Sequence, residues 1–172
     1  MHPYRCEICG ETFLGANPPD RCPFCGSAMK LIVPAAEWRN FGKIAMCEQS
    51  LEDCQKALML EINNAAYYKC AAAKAQNQIT EAIYTRLMKH EMEHAEVLAT
   101  VMGKEAPELP NRSCYDEDAK NMIVSSKHES TAISFYTQVM NRAPEPRLQQ
   151  IFRALAEVET QHLILANIYI FR

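Results

Sequence analysis

A chain of 172 residues, 48% of them hydrophobic, can bury a real core as one domain of ordinary size or as a domain with a small module attached. A net charge of −3, a pI near 6.0 and scattered lysines and arginines provide no basic field for a phosphate backbone, so nucleic acid is not an expected partner. No apolar run approaches the roughly 20 residues that cross a bilayer, and Met1 to Cys6 lacks the apolar stretch of a signal peptide. The expectation is a soluble cytoplasmic protein with no membrane partner.

Residues 1–34 are rich in Cys, Gly and Pro and have no helical period. They contain two turns, Cys6-Glu7-Ile8-Cys9-Gly10 and Cys22-Pro23-Phe24-Cys25-Gly26. In a reducing compartment, cysteines paired this closely bind metal more often than they form disulfides. Two such turns can place Cys6, Cys9, Cys22 and Cys25 around one tetrahedral ion. The glycine after each pair lets the chain turn tightly and bring backbone N–H groups toward the sulfurs. Four thiolates suit iron and zinc alike, and a zinc staple is the bland alternative.

Residues 35–49, with Trp38 and Phe41, read as a linker packed on the helical region. From residue 50 to 172 the pattern is a four-helix bundle. Helix A runs from an N-cap at Ser50 to about Gln76; helix B is capped by Thr80 and ended by Gly103. Helix C starts at Asp116 and ends near Arg142, and helix D begins at about Glu145. The short A–B and C–D connections make antiparallel hairpins, leaving residues 103–115 as the crossover. A helix of about 22 residues spans roughly 33 Å, and 13 extended residues reach at most about 45 Å. The crossover is tight, and exchange of helix pairs between two chains would complete the same bundle.

Helix B carries Glu91-Met92-Glu93-His94 and helix D carries Glu159-Thr160-Gln161-His162. Residues three apart share a helix face, so each Glu-x-x-His can bring a carboxylate and an imidazole to one ion. A two-ion site also needs one carboxylate from each remaining helix, and Glu61 and Glu129 are the candidates. The pairs Glu61 and Glu129, Tyr68 and Tyr136, Glu91 and Glu159, His94 and His162 are each 68 positions apart, an internal duplication of a polar core. Four buried carboxylates without cations would cost several kcal/mol each, and two divalent ions balance their charge. Glu81, Glu105 and Glu117 read as solvated, and Glu93 as exposed on another face. His90 and His128, each one position before a ligand candidate, read as surface or outer-layer groups. Cys47, Cys54, Cys70 and Cys114 have no motif and read as buried thiols.

Paired Cys-x-x-Cys knuckles joined to a bundle with Glu, Glu-x-x-His, Glu, Glu-x-x-His resemble the rubrerythrin family of the ferritin-like superfamily, over nearly the whole chain. In the better known members the rubredoxin-like module comes after the bundle; here it comes first. The resemblance implies a mainly α fold, a ferritin-like bundle after a rubredoxin-like knuckle. It implies one iron on the four cysteines and two in the bundle, with Glu91 and Glu159 bridging, Glu61, Glu129, His94 and His162 terminal, and Tyr68 and Tyr136 donating hydrogen bonds behind them. The family's peroxidases usually carry a further Glu one turn from the helix C ligand, where this chain has Ser126 and Ala132.

The implied activity is reduction of hydrogen peroxide to water in oxidative-stress defence, with electrons passed through the cysteine iron from a rubredoxin or a pyridine-nucleotide-dependent reductase. A homodimer, with or without exchanged helix pairs, would bring the cysteine iron of one chain near the di-iron site of the other. Two other readings use the same residues: a ferroxidase or oxygen reductase at the di-iron site, and a non-enzymatic zinc or metal-binding scaffold.

Overall fold

The computed structural model describes residues 1–170; the last two residues of the bundle expected over 50–172 lie outside the described residues. A three-stranded antiparallel sheet opens the chain, from β1 (His2–Cys6), β2 (Thr12–Gly15) and β3 (Ile32–Pro34), in the order β2-β1-β3. Four long helices come next: α1 (Glu48–Lys74), α2 (Gln78–Met102), α3 (Asp118–Arg142) and α4 (Pro146–Ile170). Among the described residues no helix is long and apolar enough to cross a membrane.

The helix ends differ from the sequence expectation where a better cap lies nearby. At α1 the cap is Cys47, whose Sγ accepts from the Ser50 N–H; the Ser50 hydroxyl instead donates to Glu145 at 2.7 Å, joining the start of α1 to the start of α4. At α2 the Asn77 Oδ1 accepts from the N–H groups of Ile79 and Thr80, the arrangement Asn is suited to. Thr80 is then free to donate to Asp118 Oδ2 at 2.5 Å, and Asp118, held also by the Gln76 backbone, begins α3 two residues later than expected. Pro146 opens α4, where a missing N–H costs nothing. Gly103 ends α2 in the left-handed region at φ +69°, as its position suggested.

Helix α1 packs along α2 and α3 along α4, with α1 and α3 also in contact, so a single chain closes the bundle. The crossover from α2 to α3 runs up the outside of α1. Arg112 donates to Asn63, Cys114 is bonded to Cys70, and Lys74 pairs with Asp116 at 2.9 Å. This corrects the expectation that all four are buried thiols: Cys70 and Cys114 form a disulfide, Cys47 is exposed, and of the four Cys54 alone is a buried thiol. Cys70 and Cys114 are 44 positions apart and share no motif, so only the path of the crossover brings them together. Opening this 44-residue loop by Cys114→Ser is expected to cost about 2–4 kcal/mol, read as a lower midpoint in urea, with no further loss when reductant is added.

The bundle core is divided in two. One apolar cluster holds Leu58, Ile62, Leu98, Tyr136 and Phe152; the other holds Tyr68, Tyr84, Leu87, Met122 and Ala166. Between them in chain order on α2, α3 and α4 lies a polar layer with Glu91, His94, Glu129, Glu159 and His162, and α1 adds Glu61 next to Ile62 at the edge of the first cluster.

Candidate metal centres

In the N-terminal module each cysteine turn closes on its glycine. The Gly10 N–H donates to the Cys6 carbonyl and the Gly26 N–H to the Cys22 carbonyl, both at 2.9 Å, with the glycines at φ +78° and +75°. The result brings the sulfurs of Cys6, Cys9, Cys22 and Cys25 within 4.8 Å of one another, with 3.7 Å between Cys6 and Cys25 and between Cys9 and Cys22. The Ile8 N–H points at Cys6 Sγ, and the Ser27 hydroxyl lies 3.1 Å from Cys6 Sγ and 3.3 Å from Cys25 Sγ. Such donors offset negative charge on thiolates. Ser27 has no place in the Cys-x-x-Cys pattern, and sequence reading missed it.

In the bundle, two groups of potential ligands converge: Glu61, Glu91, His94 and Glu159, and Glu91, Glu129, Glu159 and His162. All six candidate residues are brought together, and Glu91 and Glu159 belong to both groups. The Nδ1 atom of His94 is 3.0 Å from Glu159 Oε1 and 3.6 Å from Glu61 Oε2; that of His162 is 2.8 Å from Glu159 Oε2 and 3.2 Å from Glu91 Oε1. Both imidazoles therefore face the carboxylates through the same nitrogen.

Tyr68 and Tyr136 stand behind the carboxylates in a reciprocal pattern. The Tyr68 hydroxyl, from α1, donates to Glu129 Oε1 on α3, and the Tyr136 hydroxyl, from α3, donates to Glu61 Oε1 on α1. This exchange is what the 68-residue duplication becomes when α1 and α3 run antiparallel. Ser125, also buried, adds a contact of 2.6 Å to the Tyr68 hydroxyl.

The donor set fits two cations. Glu61 Oε2, both oxygens of Glu91, Glu129 Oε2, Glu159 Oε1 and His94 Nδ1 are buried and have no hydrogen-bond partner among the described residues. Orphaned polar atoms at this density are costly unless something else satisfies them. Two divalent ions would neutralise the four carboxylates. Without such ions, burial and then the carboxylates of Glu159 and Glu61 push Glu91 well above the usual carboxylate range. Burial and then Glu159 push Glu129 the same way. For His94, burial opposes the charged form, but Glu61 and Glu159 outweigh it and raise the imidazole well above its ordinary value.

The two centres meet inside one chain. The His94 Nε2–H donates to the Cys25 carbonyl at 2.9 Å, so a carboxylate-layer imidazole touches the backbone of a knuckle cysteine. Arg86, four residues before His90, donates to the Pro23 carbonyl at 2.8 Å. Arg86, His90 and His94 thus form a stripe at spacing four along α2 that receives the second cysteine turn. The sequence suggested this proximity between chains; the fold supplies it within one.

His90, read from sequence as an outer group, lies against the layer itself. Its Nδ1 is 3.1 Å from His162 Nε2, with the rings stacked at 5.3 Å, and burial together with His162 and His94 pushes it down to about 3. His128 is half-buried and packs edge-on against Tyr67. Glu93 is half-buried rather than exposed, and burial with Glu96 raises it to about 6. Ala132, one turn after Glu129, is buried without a polar group, and Ser126 bonds Asn167 at 3.1 Å. His162 keeps 5% exposure where the other five residues of the layer have none. Beside it opens a groove of about 540 Å³ lined by Ile79, Ile83, Leu87, His90 and Leu165.

A family model for the ferritin-like domain matches residues 51–169, and one for the rubredoxin-like domain of rubrerythrin matches residues 4–29. Reverse rubrerythrin-1 of Clostridium acetobutylicum is 26% identical over 116 residues, covering 60% of this chain. The chain spans 64% of that relative, less than two thirds of its length. No solved structure matches. Both clusters suit iron, the four-cysteine one in a rubredoxin-like module and the carboxylate–histidine one in a ferritin-like domain.

Proposed function

The chain belongs to the rubrerythrin family of ferritin-like proteins, with the rubredoxin-like module first, and on that premise we propose that it is a cytoplasmic non-haem di-iron peroxidase that reduces hydrogen peroxide to water. Its electrons would come through the four-cysteine centre from a rubredoxin or a pyridine-nucleotide-dependent reductase. Iron supplies the redox chemistry when bound, two electrons for the O–O bond from the bundle and single electrons from the knuckle.

The residues have separate tasks. Glu91 and Glu159 would hold both ions, Glu61 and His94 one of them, Glu129 and His162 the other. Tyr68 and Tyr136 each occupy one oxygen of a terminal carboxylate, leaving Oε2 of Glu129 and of Glu61 turned inward. The apolar groove beside His162 gives a small oxidant a way in while the rest of the layer stays dry.

The observation that carries this reading is the 2.9 Å hydrogen bond from His94 to the Cys25 carbonyl. An electron relay needs such a junction, and an iron store or a zinc staple does not. A second reading, oxygen reduction or ferroxidase activity, draws on Ala132 and Ser126 standing where family peroxidases usually carry a further carboxylate. Anaerobically reduced protein separates the two. Stoichiometric peroxide is expected to reoxidise it much faster than air, tracked at the visible band of the iron thiolate; equal or faster reaction with oxygen would sink the peroxidase reading. Protein grown with ample iron should carry one iron in the knuckle for every two in the bundle, and a colourless protein with zinc would leave only a scaffold.

A further inference from the structure

The two imidazoles of the carboxylate layer face it alike but are held from behind by different partners. With Nδ1 turned to the carboxylates, each ring carries its proton on Nε2, and that N–H needs an acceptor to fix the ring's tautomer and angle. His94 finds the Cys25 carbonyl at 2.9 Å. His162 finds Nδ1 of His90 at 3.1 Å, with the two rings 19° from parallel.

His90 is not itself in either ligand group. Nor is it a product of the internal duplication: 68 positions on stands Val158, which has no acceptor. The same two side chains flank Gly26, where an added Cβ would lie 2.9 Å from Val158 Cγ1 and 3.4 Å from His90 Nδ1. One turn of the knuckle therefore rests on His90 while its Cys25 carbonyl receives His94. A single docking surface meets both imidazoles, one directly and one through an intermediary.

We infer that His90 is a positioning residue for the second ion: by accepting the His162 Nε2–H it holds His162 Nδ1 on Glu159 and Glu91. It also makes the two ion positions unequal, since the first imidazole is held by the knuckle and the second by the bundle. The inference rests on the two-ion reading of the bundle and is independent of which oxidant the protein reduces.

Asparagine and leucine test it, because they share branching and the number of side-chain heavy atoms, and asparagine Oδ1 occupies the place of His90 Nδ1. His90→Phe is a second variant without an acceptor and keeps the ring, so either non-accepting variant suffices if it folds. The probe is cobalt(II) titrated against a chelator, with intense thiolate absorption reporting the knuckle and weaker visible bands reporting the bundle. In His90→Leu or His90→Phe, affinity at one of the two bundle positions should fall about 10–100-fold, with the knuckle band unchanged. His90→Asn should restore most of it. Unchanged binding of both ions in the non-accepting variants, or an asparagine variant as weak as leucine, overturns the assignment. If the parent protein binds no cobalt in the bundle, the two-ion reading falls as well.

Discussion

Glu91→Ala should yield a folded protein whose knuckle still binds iron but whose bundle holds none, with peroxide reduction lost. Glu91 offers an oxygen to both ligand groups, and both of its oxygens are orphaned in the absence of ions. Its removal takes one ligand from each ion and unbalances the charge at both. The effect should exceed the roughly 10–100-fold that partners behind the ligands cost. Iron analysis with the visible spectrum reads the outcome; retention of both bundle ions would refute the bridging role. The metal-free protein adds a check with a definite sign. Burial raises Glu91 above its ordinary value of 4.5, so the folded state binds the proton more tightly than the unfolded chain. Stability from that source is present below about pH 4.5 and is lost as pH rises above it. Chelator-treated parent should therefore lose melting temperature between pH 5 and neutrality more steeply than chelator-treated Glu91→Ala.

The second large effect is expected at Gly26. A Cβ there would lie 2.9 Å from Val158 Cγ1, which must shift, and 3.4 Å from His90 Nδ1, and the left-handed backbone at φ +75° disfavours any other residue. Gly26→Val should lift the knuckle turn from α2 and break the bond from His94 to the Cys25 carbonyl while both metal groups keep their ligands. Misplacement by about an ångström can cost roughly 100-fold in rate. Stopped-flow mixing of reduced, iron-loaded protein with peroxide should show the knuckle reoxidising about that much more slowly relative to the bundle than in the parent. Gly10→Val is the control: it has the same backbone strain at φ +78°, but its Cβ faces Trp38 and Arg5. Equal slowing in both variants, or in neither, would remove the contact from the electron route.

The layer of six was readable because each member obeys a local rule. Spacing of three on a helix pairs Glu91 with His94 and Glu159 with His162, and the constant interval of 68 picks Glu61 and Glu129 from the many glutamates on the surface. Gly103 was readable for the same reason, since a left-handed helix end favours glycine. The caps were less so: Asn77 and Cys47 took the places assigned to Thr80 and Ser50 because each of those hydroxyls has a partner at the start of a distant helix. His90 was readable only as a surface or outer-layer group, because a position 100° from its neighbour points away from the ions on an isolated helix; that it backs His162 was not. The trace it leaves is that His90 and Val158 break the duplication where the knuckle lands.

What the sequence by itself determined is therefore the chemistry and the local geometry: four thiols on two glycine turns, and carboxylates and imidazoles on one face of each helix. Only the tertiary structure decided which turn of the knuckle meets which imidazole, that Cys114 is carried up α1 to Cys70, and that His94 and Cys25 share a hydrogen bond. Helical periods and turn preferences act over a few residues and are written in neighbouring side chains. Contacts across 44 or 69 positions depend on the route of the crossover and on how the knuckle docks, which no local period encodes.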